Sequence, residues 1–279
     1  MRLSIVGSAA ILGLICLAPI AEGQVIVQSQ TYNQNFNALA GSGTTNWQNN
    51  ITLEGWYAYR TPPSGSPTAA STYIASNGSS SVGSLYSLGA NSSSDRALGS
   101  LANNNVNAGA FQYGVGFTNG LANAITSASV SYKGETWRIN GLSGGLPIPN
   151  TIEFQFSLTA SGINDTSATW LDFNDLDFSE VTGGANDGNT YFMARSGTLA
   201  NLNLGIGSTL WIRWVDRDDP GNDHALGIDD FEINFTTSSG DGGGGVTTTP
   251  EPFTMALTGL GAAVVVRRKL KAKQKPAQS

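Results

Sequence analysis

The chain is poor in the residues on which most catalytic and metal-binding chemistry depends. Its 279 residues include one cysteine, Cys16, and one histidine, His224. A disulfide framework is therefore excluded, and any His-dependent triad or zinc cluster would have to use His224. A lone histidine in an Asp-rich turn is more typical of a surface residue than of a catalytic one. Neither a phosphate-binding loop nor the Glu-x-Asp-x-x-Glu strand motif of sandwich-fold glycosidases is present, so we expect a protein that is not an enzyme.

Charge is also scarce, since Asp, Glu, Lys and Arg make up only 12% of the residues. Between Gln24 and Thr249 there are 7 basic against 18 acidic side chains, a difference of −11. An acidic body argues against a nucleic-acid partner, because phosphate binding needs a basic face. It is compatible with neutral polysaccharide or with divalent cations as ligands.

Helical periodicity is lacking as well, whereas Gly, Ser, Thr and Asn are abundant, which favours turns and strands. Alternating apolar residues predict strands at 152–158 and 210–215. Apolar pairs on both sides of Lys133-Gly134-Glu135 predict a hairpin, and 61–107 is expected to form long loops with one or two strands around Tyr73 and Leu85. The pattern predicts an all-β domain over 24–237, a β-sandwich of jelly-roll type.

The N-terminus carries the pattern of a secretory signal peptide. Arg2 precedes an apolar run over 11–20, and Ala21-Glu22-Gly23 provides a small-x-small cleavage site. We therefore expect residues 1–23 to be removed on export, which would leave a mature protein without cysteine.

The C-terminus differs in composition from everything before it. A Gly/Ser/Thr-rich linker at 238–249 is followed by Pro250-Glu251-Pro252, fourteen uncharged residues from Phe253 to Val266, and a basic end at 267–275 that begins with Arg267 and Arg268. Fourteen residues span about 21 Å as a helix, against a hydrocarbon core of about 30 Å. We expect a short transmembrane helix with its basic end in the cytoplasm.

The triplet, the apolar run and the basic cluster together resemble the PEP-CTERM sorting signal of exported bacterial proteins. The resemblance covers 250–279 and implies recognition by a membrane-embedded exosortase. It also implies delivery to the cell envelope or the exopolysaccharide matrix. An ordinary single-pass anchor that is never processed is the alternative.

Two acidic stretches are candidate cation sites. In the stronger one, two strand residues follow an Asp-rich loop. The alternation of apolar residues shifts by one position between Ile228 and Phe231, which predicts a β-bulge at Asp229-Asp230. Six carboxylates there could bind Ca²⁺, which takes six to eight oxygen ligands: Asp216, Asp218, Asp219, Asp223, Asp229 and Asp230. The weaker stretch consists of Asp172, Asn174, Asp175 and Asp177. Solvated turns are the simpler interpretation of both.

The segment Gly227–Phe231 resembles the closing strand of MAM-like and laminin-G-like jelly rolls. The resemblance implies that this strand pairs with an opening strand at Asn35-Phe36-Asn37. Members of that group commonly have an acidic residue near a cation in the opening strand, where this chain has asparagines.

Trp56, Tyr57 and Tyr59 are candidates for stacking on sugar rings, although aromatic residues in a sandwich usually belong to the core. Taken together, the sequence predicts an exported, non-enzymatic cell-surface or matrix protein, structural or adhesive, with weak polysaccharide binding. The alternatives are a polysaccharide hydrolase or lyase, and a module that only displays or tethers.

Overall fold

The computed structural model describes residues 23–105, 107–139, 149–181, 187–219 and 223–238. Over these residues the chain forms sixteen β-strands and one 3-10 helix, Asn174–Leu176. The strands make two sheets of eight, which confirms the all-β sandwich. Residues 1–22 of the expected signal peptide, the linker from 239 and the sorting tail 250–279 lie outside the described residues.

The first sheet has the order β12-β11-β15-β9-β4-β5, with β1 parallel to β9 and β13 beside β11. Its strands are β1 Val25–Val27, β4 Trp56–Thr61, β5 Thr68–Ala69, β9 Ala110–Asn119, β11 Thr151–Ser157, β12 Leu171–Asp172, β13 Phe178–Ser179 and β15 Thr209–Asp216.

The second sheet has the order β14-β10-β16-β8-β7-β6-β3, with β2 paired to β16. Its strands are β2 Thr31–Gln34, β3 Thr44–Asn46, β6 Thr72–Ser76, β7 Ser84–Leu88, β8 Ala97–Leu101, β10 Ile125–Arg138, β14 Phe192–Leu199 and β16 Ala225–Thr237.

Aromatic side chains fill the space between the sheets, with Trp214 of β15 at their centre. The Trp214 ring stacks on Trp56 with 5.9 Å between centroids, and Tyr132, Phe154 and Phe231 meet it edge-on at 5.4–5.5 Å. Because alternate residues of a strand face opposite ways, these rings form the inner layer and their chain neighbours form the outer faces.

The hairpin predicted around Gly134 is wrong, because β10 runs unbroken through it as a fourteen-residue strand. Gly134 does not turn the chain but makes room for the Phe178 ring, because a Cβ at this position would lie 2.1 Å from that ring. The region 61–107 also holds four strands, β5 to β8, rather than loops with one or two. Residues 97–101 are buried throughout, so β8 shows no alternation that the sequence could reveal.

The predicted bulge in β16 is confirmed. Pairing with β10 shifts by one residue between Ser131↔Glu232 and Lys133↔Asp229, and Asp230 has φ = 48°. The extra residue lets Ile228 and Phe231 both face the core.

The predicted partner of this strand is only partly correct. An opening strand does pair with β16, but it is Thr31–Gln34, opposite Phe231–Asn234. Gly227 and Ile228 pair instead with β8. The chain leaves β2 after Gln34, whose side-chain oxygen accepts a hydrogen bond from the Phe36 N–H, and Phe36 has φ = 55°.

Replacing Trp214 by Ala should destabilise the domain by about 3–5 kcal/mol, since the cavity left by a central ring cannot collapse. Chemical denaturation followed by circular dichroism would measure this loss. Trp170, which is half-buried on an outer face, is the matched control, and Trp170→Ala should cost about 1 kcal/mol or less. Equal losses in the two variants would contradict the central role of Trp214.

Candidate functional site

The aromatic residues predicted to stack on sugars are not exposed. Trp56 is fully buried in the central core, and its Nε1 donates to the Tyr32 hydroxyl at 2.9 Å. Tyr57 and Tyr59 lie on the outer face of the first sheet but are only 3% and 8% exposed. They do not form an open stacking platform in this structure, because residues 158–170 cover that face.

The six carboxylates predicted to bind calcium face different parts of the molecule. Asp216 points between the two sheets and is 2% exposed, and Ser100 of β8 donates a hydrogen bond to it at 2.6 Å. Burial raises the pKa of Asp216 to about 8. Asp229 lies on the outer face of the second sheet, the face that carries Ala225, so it cannot share a ligand sphere with Asp216.

The other carboxylates differ in their surroundings. Asp230 forms an ion pair with Lys133 at 2.6 Å. Asp223 is buried and accepts a hydrogen bond from the Asp219 N–H at 2.9 Å, and burial raises the pKa of Asp223 to about 7. Asp218 is exposed.

Across the described part of the chain, no group of three or more His, Cys, Asp or Glu side chains could hold a metal ion. The six carboxylates therefore do not converge on one site, and calcium binding in this stretch stays a prediction. Asp216 faces the space between the sheets and Asp229 faces outward from the second sheet, which keeps their oxygens apart, whereas the Asp218 and Asp223 side chains form a hydrogen bond with each other.

The second acidic stretch does contribute to a pocket, which has a volume of about 280 Å³ at the β11 edge. Asp172 accepts a hydrogen bond from Gln155 at 2.7 Å, and Asp177 accepts one from the Phe154 N–H at 2.7 Å. The same pocket is lined by Asn174 and by the Glu153–Arg217 ion pair, whereas Asp175 is not among its lining residues.

His224 is not the surface residue that its turn suggested. It is 5% exposed, its Nδ1 contacts Glu180 Oε2, and its backbone N–H donates to Asn150 Oδ1 at 2.5 Å. The contacts join the start of β16 to the chain beside β11 and β13, which is a structural role.

Polar side chains line an open groove along β2. Two cavities of about 400 Å³ and 510 Å³ share Asn33 and Gln34 as lining residues. We call the pair of cavities the β2 groove. The other lining residues are Gln24, Val25, Ile26, Gln28, Tyr32, Asn35, Glu54, Asp230, Phe231 and Glu232.

The groove presents uncharged amides beside the ring of Tyr32, together with the carboxylates of Glu54, Asp230 and Glu232. Asn33 and Gln28 are exposed, and Tyr32 is half-buried with its ring packed edge-on against Phe117 at 5.3 Å. Amides both donate and accept hydrogen bonds, which suits the hydroxyl groups of a sugar. The sequence analysis missed this site, although the amide-rich stretch at 28–37, QSQTYNQNFN, was a readable signal.

No protein-family model matches the chain, and no characterised protein matches its sequence. Among solved structures, it is similar to the CBM22-1 xylan-binding domain of Xyn10C from Paenibacillus barcinonensis, at 12% identity over 75% of this chain and 95% of that chain, with a TM-score of 0.34. It is also similar to the family 11 carbohydrate-binding module from Clostridium thermocellum, at 6% identity over 72% and 100%, with a TM-score of 0.34.

A third similar structure is the K3 adhesin domain of Lys-gingipain from Porphyromonas gingivalis, at 11% identity over 64% of this chain and 91% of that chain, with a TM-score of 0.35. Likeness at this level does not extend to function. No helix within the described residues has the length and apolarity of a membrane span, and the expected span 253–266 lies outside them.

Asp216→Asn should stabilise the protein increasingly as pH rises. The raised pKa keeps the native carboxyl protonated, whereas the unfolded chain releases its proton above its ordinary value of 3.8. The contribution of the Asp216 carboxyl to the free energy of unfolding is therefore fully present below pH 3.8. It falls until pH reaches about 8, a loss on the order of several kcal/mol. An amide carries no charge and removes this dependence.

The measurement is the difference in unfolding free energy between the variant and the native chain from pH 5 to pH 9. Asn104→Ala is the control, because Asn104 is exposed and carries no titratable group, so its difference should stay flat. A flat difference for Asp216→Asn as well would contradict the buried, protonated state.

Proposed function

We propose that this protein is an exported, non-enzymatic β-sandwich of jelly-roll type that binds neutral polysaccharide at the cell surface or in the extracellular matrix. The single observation that carries the proposal is the β2 groove. It concentrates side-chain amides and one tyrosine in a long open depression of the acidic body.

The charge around the groove favours an uncharged polymer. Glu54, Glu232 and Asp230 line it, and of the three only Asp230 has an ion-pair partner within the described residues, Lys133. The negative carboxylates would repel an acidic polysaccharide, so the electrostatic potential of the groove disfavours its binding. Neutral hydroxyl groups can accept hydrogen bonds from the amides and donate to the carboxylates.

The placement of the protein rests on its two termini. A signal peptide at 1–23 would direct export. The PEP-CTERM-like tail would then span the membrane, where an exosortase would recognise it. Polysaccharide would then be available where the protein is delivered.

The first test is co-sedimentation of the full-length chain with the extracellular polysaccharide of the producing organism. We expect saturable binding that Asn33→Ala and Gln28→Ala each weaken by about fivefold, because a hydrogen bond contributes about 1 kcal/mol. Both side chains are exposed, so neither change should alter the melting temperature.

Asn104→Ala is the matched control, an exposed asparagine that is not among the residues lining the groove. Undiminished binding in both groove variants would move the site elsewhere. Absence of any binding, with the polysaccharide left intact, would leave only a module that displays or tethers.

The alternative, a hydrolase or lyase, is favoured by one observation, the three carboxylates of the pocket at the β11 edge. Burial raises the pKa of Asp177 above its ordinary value, which is the state a general acid needs. Release of reducing ends that is lost in both Glu153→Gln and Asp177→Asn would replace the binding proposal with this one.

A further inference from the structure

The outer face of the first sheet carries a set of side chains that is unusual for a covered surface. Strand alternation places Tyr57 and Tyr59 of β4, Gln112 of β9, and Trp211 and Arg213 of β15 on this one face. We call these five residues the outer platform. Trp211 lies over Gly116, where a Cβ would come within 2.7 Å of its ring, so the central strand leaves room for the aromatic layer.

Residues 158–170, between β11 and β12, cover the outer platform, and we call them the β11–β12 segment. Ala160 and Ile163 pack on Tyr57, Tyr59 and Trp211. Trp170 stacks over the Arg213 guanidinium at 3.7 Å, and the Ile163 carbonyl accepts a hydrogen bond from Arg213 at 2.7 Å. The segment thus offers the platform an aromatic face, aliphatic groups and a carbonyl oxygen.

The cover leaves two donors of the platform unsatisfied. Among the described residues, neither Gln112 Nε2 nor Trp211 Nε1 has a hydrogen-bond partner, although the two side chains are 8% and 0% exposed. Buried N–H groups without partners are rare in folded proteins and costly. A core cluster built for stability would use apolar side chains at these positions, whereas a ligand with hydroxyl groups would satisfy both donors.

The β11–β12 segment is hydrogen-bonded extensively within itself. Asp165 accepts hydrogen bonds from the backbone N–H groups and hydroxyls of both Ser161 and Ser167, at 2.6–3.0 Å. The Trp170 Nε1 donates to the Asp165 carbonyl at 2.9 Å. The segment therefore satisfies many of its own polar groups, and these bonds would persist if it left the sheet.

Its two ends are held together at the sheet, because Phe156 of β11 pairs with Leu171 of β12. A displacement of the segment can therefore pivot at this pair and leave the pairing of β11 with β15 unchanged. Arg213 also keeps a second partner in the sheet, since it donates to Gln155 at 2.7 Å.

We propose that the outer platform is a second polysaccharide site, which the β11–β12 segment closes as a hinged lid. The ligand class rests on the proposed function: pyranose rings would stack on Tyr57, Tyr59 and Trp211. Their hydroxyl groups would take the unsatisfied donors of Gln112 and Trp211 and replace the Ile163 carbonyl on Arg213. The lid and the sugar compete for the same groups, so the apparent affinity is the affinity of the open platform multiplied by the fraction of time that the lid is open.

The test is to loosen the lid in the full-length chain and measure binding by affinity electrophoresis in gels containing soluble β-glucan, xylan or galactan. Ile163→Ala removes the most buried apolar contact of the lid, and Trp170→Ala removes the stack on Arg213. At least one of these polysaccharides should bind at least about fivefold more tightly to each variant than to the native chain. Trp211 should also become more accessible to acrylamide quenching.

Two double variants show which site is responsible for the tighter polysaccharide binding. It should persist when Asn33→Ala weakens the β2 groove, and disappear when Gln112→Ala removes a platform donor. No gain for any of the three polysaccharides, or a gain that Asn33→Ala abolishes, overturns the lid while leaving the proposed groove function intact. Melting curves check folding, and Trp170→Ala keeps the test decisive if Ile163→Ala fails to fold, since Trp170 is only half-buried.

Discussion

The sandwich depends on one constraint, which is that β16 must serve two neighbours on the same side. Its first half pairs with β8 and its second half with β2, while β10 runs along its other edge. The change of partner coincides with the bulge, and the extra residue at Asp230 keeps Ile228 and Phe231 in the core on either side of it. Without that residue one half of the strand would present polar groups to the aromatic layer around Trp214, and the two sheets could not close.

A second feature of this fold is its set of buried carboxyl groups. Asp216 lies between the sheets, and Glu135 and Asp229 lie beneath the outer surface of the second sheet, where burial raises their pKa values to about 7 and about 8. Glu135 accepts a hydrogen bond from the Trp137 indole at 2.8 Å. All three carboxyl groups contribute stability at low pH that diminishes as pH rises.

The sequence was a good guide where side chains alternate and a poor one where they do not. Parity in β16 was enough to predict its bulge, and composition was enough to predict two sheets. Gly134 was misread because a glycine that admits a ring looks the same in sequence as one that turns the chain. Tyr57 and Tyr59 do face away from the core that holds Trp56, but nothing in the sequence indicates that a segment a hundred residues later covers them. The β2 groove was missed because two distant segments, near Asn33 and Asp230, form it only after folding.

The long central strand has a mechanical consequence. β16 ends at Thr237, where the chain continues towards the linker and the tail. A pull on that end loads β16 along its own axis, and the antiparallel hydrogen bonds to β10 and β2 lie across the pull. They must break together in shear rather than one at a time, as in peeling. A domain held by this end would therefore resist flow or traction better than its thermodynamic stability alone suggests.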